Sequence, residues 1–552
     1  MLFRSVFAAA LLLLTFSKST AQSADPLTYI PSKAQNVYVL NLPSIVGKMD
    51  VNALKDLDFM KEIMNKANDK QAANFMKNPA ESGINFFKPL AIVMTDMDSS
   101  SYQSFAIIVP LADAAKFKTM MATGIHPIVQ KDGINVIEGD TSVLAWNAQM
   151  FVAMSLKKKK ADGMSALAGL DSTATPEKLP TLTPSVYFQN SEVNAKATAV
   201  RELMRAPHDI YIYQTTDGAG SGMKGMVASM FLGLKPTDLD GNVTSGWVDF
   251  ENGRIYGEMA QKMNDAMNQK FKSLGRVKPS VDWNQYIAGD AKKTMGMLSL
   301  SFNPLGIKEM IAENKMLKQG AEKMAAGKTK ENFSMDKILT LFGGDIFATM
   351  SGSGEDMKLL FGVSITDKKA VEKLLKDELK AKKMGKNLYV MESKKPVVTE
   401  DTPPGMPTIP ASPMLMLLKD NVVLIGKEAQ ILALNAMPKM PTLAAIETTD
   451  WQKSLKNKPF NLYFDFKTMG SMLGPLAQGK FDDMPIESVS MSLFNKVTTF
   501  ELKMMDKDKN ALTAFSIFAD KMLKKEKTKA KDGMIEVSPD EVQPPKVKDG
   551  GN

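Results

Sequence analysis

Alternating apolar runs and amphipathic stretches follow one another along this chain, and they do so twice. Val37 to Leu42 and Met295 to Leu300 alternate like half-buried strands, and each runs into a Pro-marked helix start, at Pro43 or Pro304. A long helical stretch follows, NPLGIKEMIAENKMLKQGAEKMAA in the second case. Two apolar runs joined by a polar turn, DMDSSS at 96–101 or SGSGED at 351–356, then predict a hairpin. Asp113 and Asp367 each open a helix, because a carboxylate there accepts from the free N–H groups of the first turn. A further hairpin and helix close each unit, and Asn252-Gly253 marks the first of these closing turns.

The echo is collinear. YIPSKAQNVYVLNL corresponds to YIAGDAKKTMGMLSL, and INFFKPLAIVMTDMDSSSYQSFAIIV to ILTLFGGDIFATMSGSGEDMKLLFGV. Phe86 matches Phe342, Met94 matches Met350 and Phe105 matches Phe361 at one offset. GINVIEGD then answers to KNLYVMES, and WVDFENGRIYGEM to MSLFNKVTTFELKM, with Phe250 opposite Phe494. Chance gives isolated matches rather than an ordered series, and the period is far too long for a solenoid. The pattern predicts two tandem homologous α+β domains, 28–275 and 284–527, each an antiparallel sheet with packed helices. A linker spans 275–283, and a Pro-rich insertion, 396–413, belongs to the second domain only. The charged, apolar-poor segment 528–552 reads as a disordered tail.

The first 21 residues stand outside this grammar. Arg4, an apolar run from Val6 to Phe16, and small Ser19 and Ala21 have the order of a cleaved export signal, which predicts a mature chain starting near Gln22. No later stretch is apolar for long enough to form a transmembrane helix. The predicted destination is the periplasm or the cell exterior, with the protein soluble or peripherally associated with the envelope. The 552 residues contain no cysteine, which excludes disulfides, thiol nucleophiles and zinc–thiolate sites. Stability must then come from packing, and an apolar content of 44% is sufficient for real cores. The net charge is +8, or +6 without Arg4 and Lys18 of the leader. Its ordinary consequence is solubility, and its sharper one is attraction to an anionic envelope surface. Nucleic acid is not an expected partner of an exported chain.

Candidate chemistry is sparse. The two histidines, His126 and His208, both fall in the first unit, and they read as loop or surface residues rather than as a triad or metal site. Gly220 to Gly225, GSGMKG, satisfies G-x-G-x-x-G, with Asp238 and Asp240 about twenty residues on. It lies deep within a unit rather than in an opening βαβ, so a flexible loop before a helix is the better reading. Asp238, Asp240, Asn242 and Asp249 have calcium-loop spacing, but Val243 stands where such a loop needs Gly, and an Asx-rich turn fits better. DMDSS at 96–100 and GKT at 327–329 are weaker matches still. Lys157 to Lys160 read as a solvated helix start. Methionine is abundant, with 42 residues including the pairs Met120-Met121 and Met504-Met505. Core packing explains most of them, with a plastic apolar groove as the alternative. Met223, Met226 and Met230 share one helical face, predicted to pack on the sheet. No catalytic, cofactor-binding or metal-binding residue is assigned.

The opening IPSKAQNVYVLNL, supported by SITDKKAVEKLL, resembles the Bacteroidota envelope proteins grouped as domain of unknown function 4836. The resemblance spans most of the mature chain. It implies an envelope protein of unassigned activity and brings no active site. Many such proteins resemble lipoproteins with a cysteine after the signal, and this chain departs from that pattern. The function expected is a non-catalytic binding or scaffold protein for an envelope protein or surface polymer. The alternative is a carrier of an apolar ligand or lipid in a Met-lined cavity. A carboxylate-dependent hydrolase is a third, more distant reading, because paired acids need no sequence signature.

Overall fold

A computed structural model of the chain describes residues 25–49, 57, 81–96, 102–122, 126–139, 141–158, 181–189, 195–217, 234–276, 278–287, 294–314, 317–319, 335–352, 357–390, 414–436, 450–473 and 484–532. The leader, the GSGMKG motif with Met223, Met226 and Met230, the GKT triplet and the Pro-rich segment 396–413 lie outside these residues.

The fold is α+β. In the first half come β1 (Asn36–Leu40), α1 (Leu42–Gly47), β2 (Leu90–Asp96), β3 (Tyr102–Pro110), α2 (Ala114–Met121), β4 (Val129–Lys131), β5 (Ile134–Glu138), β6 (Ser142–Trp146), β7 (Met150–Lys158), α3 (Ala195–Leu203), β8 (Ile210–Thr215), β9 (Val243–Glu251), β10 (Arg254–Lys262) and α4 (Asp265–Leu274). In the second half come β11 (Thr294–Ser301), α5 (Pro304–Glu313), β12 (Phe342–Ser351), β13 (Lys358–Ile365), α6 (Lys368–Asp377), β14 (Lys382–Gly385), β15 (Leu388–Val390), β16 (Met414–Lys419), β17 (Val422–Lys427), α7 (Glu428–Ala436), β18 (Phe460–Asp465), β19 (Ile486–Phe494), β20 (Val497–Met504) and α8 (Ala511–Asp532).

The first ten strands pair in the order β4-β5-β6-β7-β3-β2-β1-β8-β9-β10. The next ten pair as β14-β15-β16-β17-β13-β12-β11-β18-β19-β20. Every pairing is antiparallel. Strands β10 and β20 also pair with each other, so the described strands form one continuous sheet rather than a separate sheet in each half. That joint is symmetric in its backbone bonds. Met504 N donates to Gly253 O at 2.8 Å, and Gln261 N donates to Lys496 O at 2.9 Å. Gly253 and Lys496 are the second turn residues of the two closing hairpins.

Packing differs between the halves. In the first, both faces are covered. Leu40, Leu90, Ile107, Val109 and Phe151 are buried with α1 and α2, while Val37, Val39, Ala91, Val93 and Val152 are buried beneath α3 and the 3-10 turn Pro26–Tyr29. Burial on both sides is why β3 reads FAIIV rather than alternating. In the second half, Trp283, Tyr286, Trp451 and Leu455 pack with Ile431 of α7 over Met297, Phe347, Leu360 and Leu424. On the opposite face, α6 covers the outer end, where Val371 and Leu375 meet Ile365 and Val423, and a further helix, Phe466–Leu473, lies against β19 and β11. The halves also interlock. Leu512 and Ile517 of α8, in the second half, pack on the first-half core, and α4 of the first half lies against α5 of the second.

The helix starts follow their caps. Asp113 accepts from Ala115 N at 2.9 Å and Lys116 N at 3.0 Å, and Asp367 accepts from Ala370 N at 3.0 Å. Elsewhere the sequence pattern needs correction. The long stretch from Asn303 breaks after Glu313, because Asn314 leaves helical geometry and its side chain caps a new turn at Leu317 N, 3.1 Å away. Lys157 and Lys158 end strand β7 rather than beginning a helix. Helix α8 runs to Asp532, so the first five residues of the expected tail, 528–532, are helical. The hairpin registers align Phe250 with Leu493, since Glu251 and Phe494 are the residues that flank the two turns.

Candidate binding surface

Strand register builds one row across twelve strands of the sheet. Ile425, Phe361, Ala348, Leu298, Leu462, Met491, Phe500, Gly257, Val248, Ile210, Leu40 and Leu90 stand opposite one another in turn. Paired residues share a face, so this row is a stripe without a polar side chain. Leu40 and Leu90 at its first-half end are buried. Across the second half the stripe is only partly covered. Leu298, Ala348, Leu462, Met491 and Phe500 are half-buried, Phe361 is 50% exposed, and its neighbour Leu359 is 42% exposed. Met259, Met350 and Met491 all project from this face and are half-buried. Met94, the counterpart of Met350, is likewise half-buried.

One residue along, the opposite face is polar in the centre. Ser299, Asn461, Ser492, Thr499 and Glu258 stand in register between Phe347 and Trp247. Asn461 Nδ2 donates to Ser299 Oγ at 3.1 Å, and Ser492 and Thr499 share a 2.8 Å hydroxyl bond. Lys458 Nζ reaches Ser492 Oγ at 2.7 Å, and burial pulls the Lys458 ammonium below its ordinary range. Tyr463 stacks on Trp451, and burial, reinforced by Asp465, pushes its hydroxyl up to about 12. These bonds link Lys458, Asn461, Ser299, Ser492 and Thr499 across the row, while Asn461 Oδ1 is buried without a hydrogen-bond partner.

The most chemically suggestive cluster sits at the start of β8. His208 Nδ1 meets Asp249 Oδ2 at 2.8 Å, and the ring stacks on Trp247 at 3.9 Å. Its side chain is only 16% exposed, so it is neither a surface nor a free loop histidine. Beside it, Asp209 is fully buried. Ser44 Oγ donates to Asp209 Oδ1 at 2.6 Å, and Lys48 Nζ and Phe250 N donate to Oδ2 at 2.8 and 2.6 Å. Ser44 therefore gives its proton to a carboxylate, not to an imidazole. The Tyr211 hydroxyl donates to Ala206 O and accepts from His208 N. Among the described residues the imidazole bonds only to Asp249, and the cluster ties α1 to β8 and β9. His126 is exposed and distant in sequence from this cluster.

The calcium-like spacing does not assemble. Asp249 is committed to His208 and to Asp209 N, while Asp238 accepts from Lys235 N at 2.7 Å. Asn242 is buried, donates to Asp238 O and Leu239 O, and accepts from Asn264 N, which caps α4. It is an Asx-rich turn. Among the described residues no group of three acids or histidines is placed to hold a metal ion. A cleft of about 360 Å³ lies between α4 and α5, lined by Asp238, Lys270, Glu309, Met310 and Glu313, with Lys270 and Glu313 paired at 2.5 Å.

No family model matches the chain. No curated protein matches it either. Two solved structures of TP0453 align with part of it. Crystal form I is 12% identical, with a TM-score of 0.21, over 44% of this chain and 81% of that one. Crystal form III is 11% identical, with a TM-score of 0.23, over 47% and 90%. At these scores the likeness carries no argument about fold or function.

Proposed function

We propose that this chain is an exported cell-envelope protein that works by binding rather than by catalysis, and that the partly covered apolar stripe of its second half is the binding surface. One observation carries the reading: a twelve-strand apolar row is buried at one end and only partly covered at the other, with Phe361 half exposed. Monomeric proteins seldom leave contiguous apolar surface without a partner for it. The leader-like first 21 residues and the opening motif of the domain of unknown function 4836 group support the location. Among the described residues no helix is long and apolar enough to cross a membrane. The shared strand order of the halves supports an origin by tandem duplication, 28–275 and 284–527. The partner is another envelope protein or a surface polymer.

A second reading has its own support. Met259, Met350 and Met491 line the same face, and thioether side chains adapt to irregular apolar shapes. An apolar ligand or lipid would then be the cargo. Organic extraction of natively purified protein followed by mass spectrometry separates the two. A stoichiometric lipid selects the carrier. A clean extract together with a protein cross-linked at position 361 selects the binding protein. A clean extract with no cross-linked partner removes both. N-terminal sequencing that found Met1 on the mature protein would end the export reading.

A further inference from the structure

We propose that the outer end of the second half, α6 together with the β14–β15 hairpin, docks on an anionic phospholipid bilayer surface. From Asp367 to Val390 the chain carries eight lysines against four acids. The matching elements of the first half, α2 with the β4–β5 hairpin from Asp113 to Glu138, carry three lysines and three acids. The excess is arranged, not scattered. Lys369, Lys373 and Lys376 follow helical spacing and are exposed, on the side of α6 away from buried Val371 and Leu375.

The hairpin continues this surface. Glu372 Oε1 joins Lys376 Nζ at 3.2 Å and Lys383 Nζ at 3.0 Å, and it accepts from the Tyr389 hydroxyl at 2.5 Å. This single carboxylate locks helix and hairpin into one plate. Among the described residues no carboxylate pairs with Lys369, Lys373, Lys382 or Lys386.

Edge protection explains lysines on β14, since unpaired strand edges invite aggregation. It does not explain the helical stripe, and the corresponding edge β4 has one lysine only. Nor does it explain Met384, which is 58% exposed among the hairpin lysines, or Leu379 at 39%. Apolar side chains ringed by lysines suit a bilayer interface, where headgroups take the charge and the acyl boundary takes the thioether. The plate borders the outer end of the apolar stripe, where Ile425 packs against the cluster beneath α6, but its lysines are recognised by charge, and the proposal does not depend on what the stripe binds.

The test is flotation of the full-length mature protein with vesicles of phosphatidylcholine containing about one third phosphatidylglycerol, against pure phosphatidylcholine. Expected is binding to the anionic vesicles only, lost when salt rises from about 50 to about 500 mM, because screening shortens the reach of surface charge. Each lysine at such a surface contributes about fivefold, so combined Lys369→Gln, Lys373→Gln, Lys382→Gln and Lys386→Gln should weaken binding by a hundredfold or more. Met384→Ser should weaken it several-fold at unchanged charge. The first-half control, Lys116→Gln with Lys118→Gln and Lys131→Gln, should leave it unchanged. The proposal is overturned by no binding to anionic vesicles, by equal binding to neutral ones, by an undiminished affinity of the quadruple variant, or by retention on an anionic polysaccharide without binding to vesicles.

Discussion

Gly257 stands directly opposite Phe500 where the two halves of the sheet join, and the Phe500 ring fills the space that a side chain at 257 would occupy. Each is the third residue past the turn-flanking position of its own hairpin, Arg254 or Val497, so the two are counterparts that face each other. The joint is thus symmetric in backbone and asymmetric in side chain: one position is empty so that the other can be filled. A Cβ at 257 would lie 2.4 Å from the ring and 2.7 Å from the Trp247 carbonyl.

Gly257→Val is therefore expected to destabilise the chain by about 1–3 kcal/mol, the usual cost of overpacking. Adding Phe500→Ala should recover part of the loss, leaving the strain against the Trp247 carbonyl. Denaturant unfolding of the two single variants and the double variant checks this. Strictly additive losses would show that the two positions do not meet.

Asp209 is the anchor of the first half. It satisfies Ser44, Lys48 and the Phe250 amide at once, although Lys48 is partly exposed. Asp209→Ala strands a buried amide and a hydroxyl, so a loss of about 3 kcal/mol is expected. Hydrogen exchange should place the opening in α1, β8 and the start of the β9–β10 turn. A loss under about 0.5 kcal/mol, the range of ordinary surface substitutions, would show the cluster to be hydrated instead.

Glu372 gives a pH signature. Bonds from Tyr389, then Lys383 and Lys376, hold its carboxyl down at about 2, below its ordinary 4.5. A depressed carboxylate contributes stability above its unfolded value, and that contribution fades as pH falls from 4.5 toward 2. Glu372→Gln should accordingly lower the melting temperature at pH 6 and converge with the parent near pH 2. Tyr389→Phe should move the Glu372 titration upward by NMR. Parallel melting curves at all pH values would contradict the assignment.

Much of this architecture was legible locally and little of it globally. Asp113 and Asp367 announced their helices because capping is a contact between neighbours in sequence. Asn252-Gly253 announced its hairpin, and Gly253 adopts the left-handed geometry that Gly allows. The corresponding turn, Asn495-Lys496, has φ of 47° and 65° without a glycine, and so gave a weaker signal. That weakness allowed Phe250 to be matched with Phe494, one residue out of register. The β10–β20 joint had no marker, since edge pairing is written in backbone groups that every residue carries. His208 looked like a surface residue because its partners, Asp249 and Trp247, arrive from a strand about forty residues later. The apolar stripe was invisible for the same reason, as it exists only once twelve strands are in register.

Phe347 and Phe361 test whether that stripe is a surface or a core. They lie on adjacent strands and point to opposite faces, Phe347 opposite Gly362 and Phe361 opposite Ala348. Phe347 is fully buried against Trp283, their rings stacked at 5.1 Å, whereas Phe361 is 50% exposed. Phe347→Ala should cost about 3–5 kcal/mol, as full truncation of a core aromatic does. Phe361→Ser removes a side chain that is already half in water, so a loss below about 1.5 kcal/mol is expected. If the stripe binds a partner or an apolar ligand, the same substitution should abolish retention of that molecule through native purification while the melting temperature barely moves. Equal destabilisation by the two substitutions would mean that Phe361 is covered in solution by the chain itself, and the stripe would then be part of the core and no longer a binding surface.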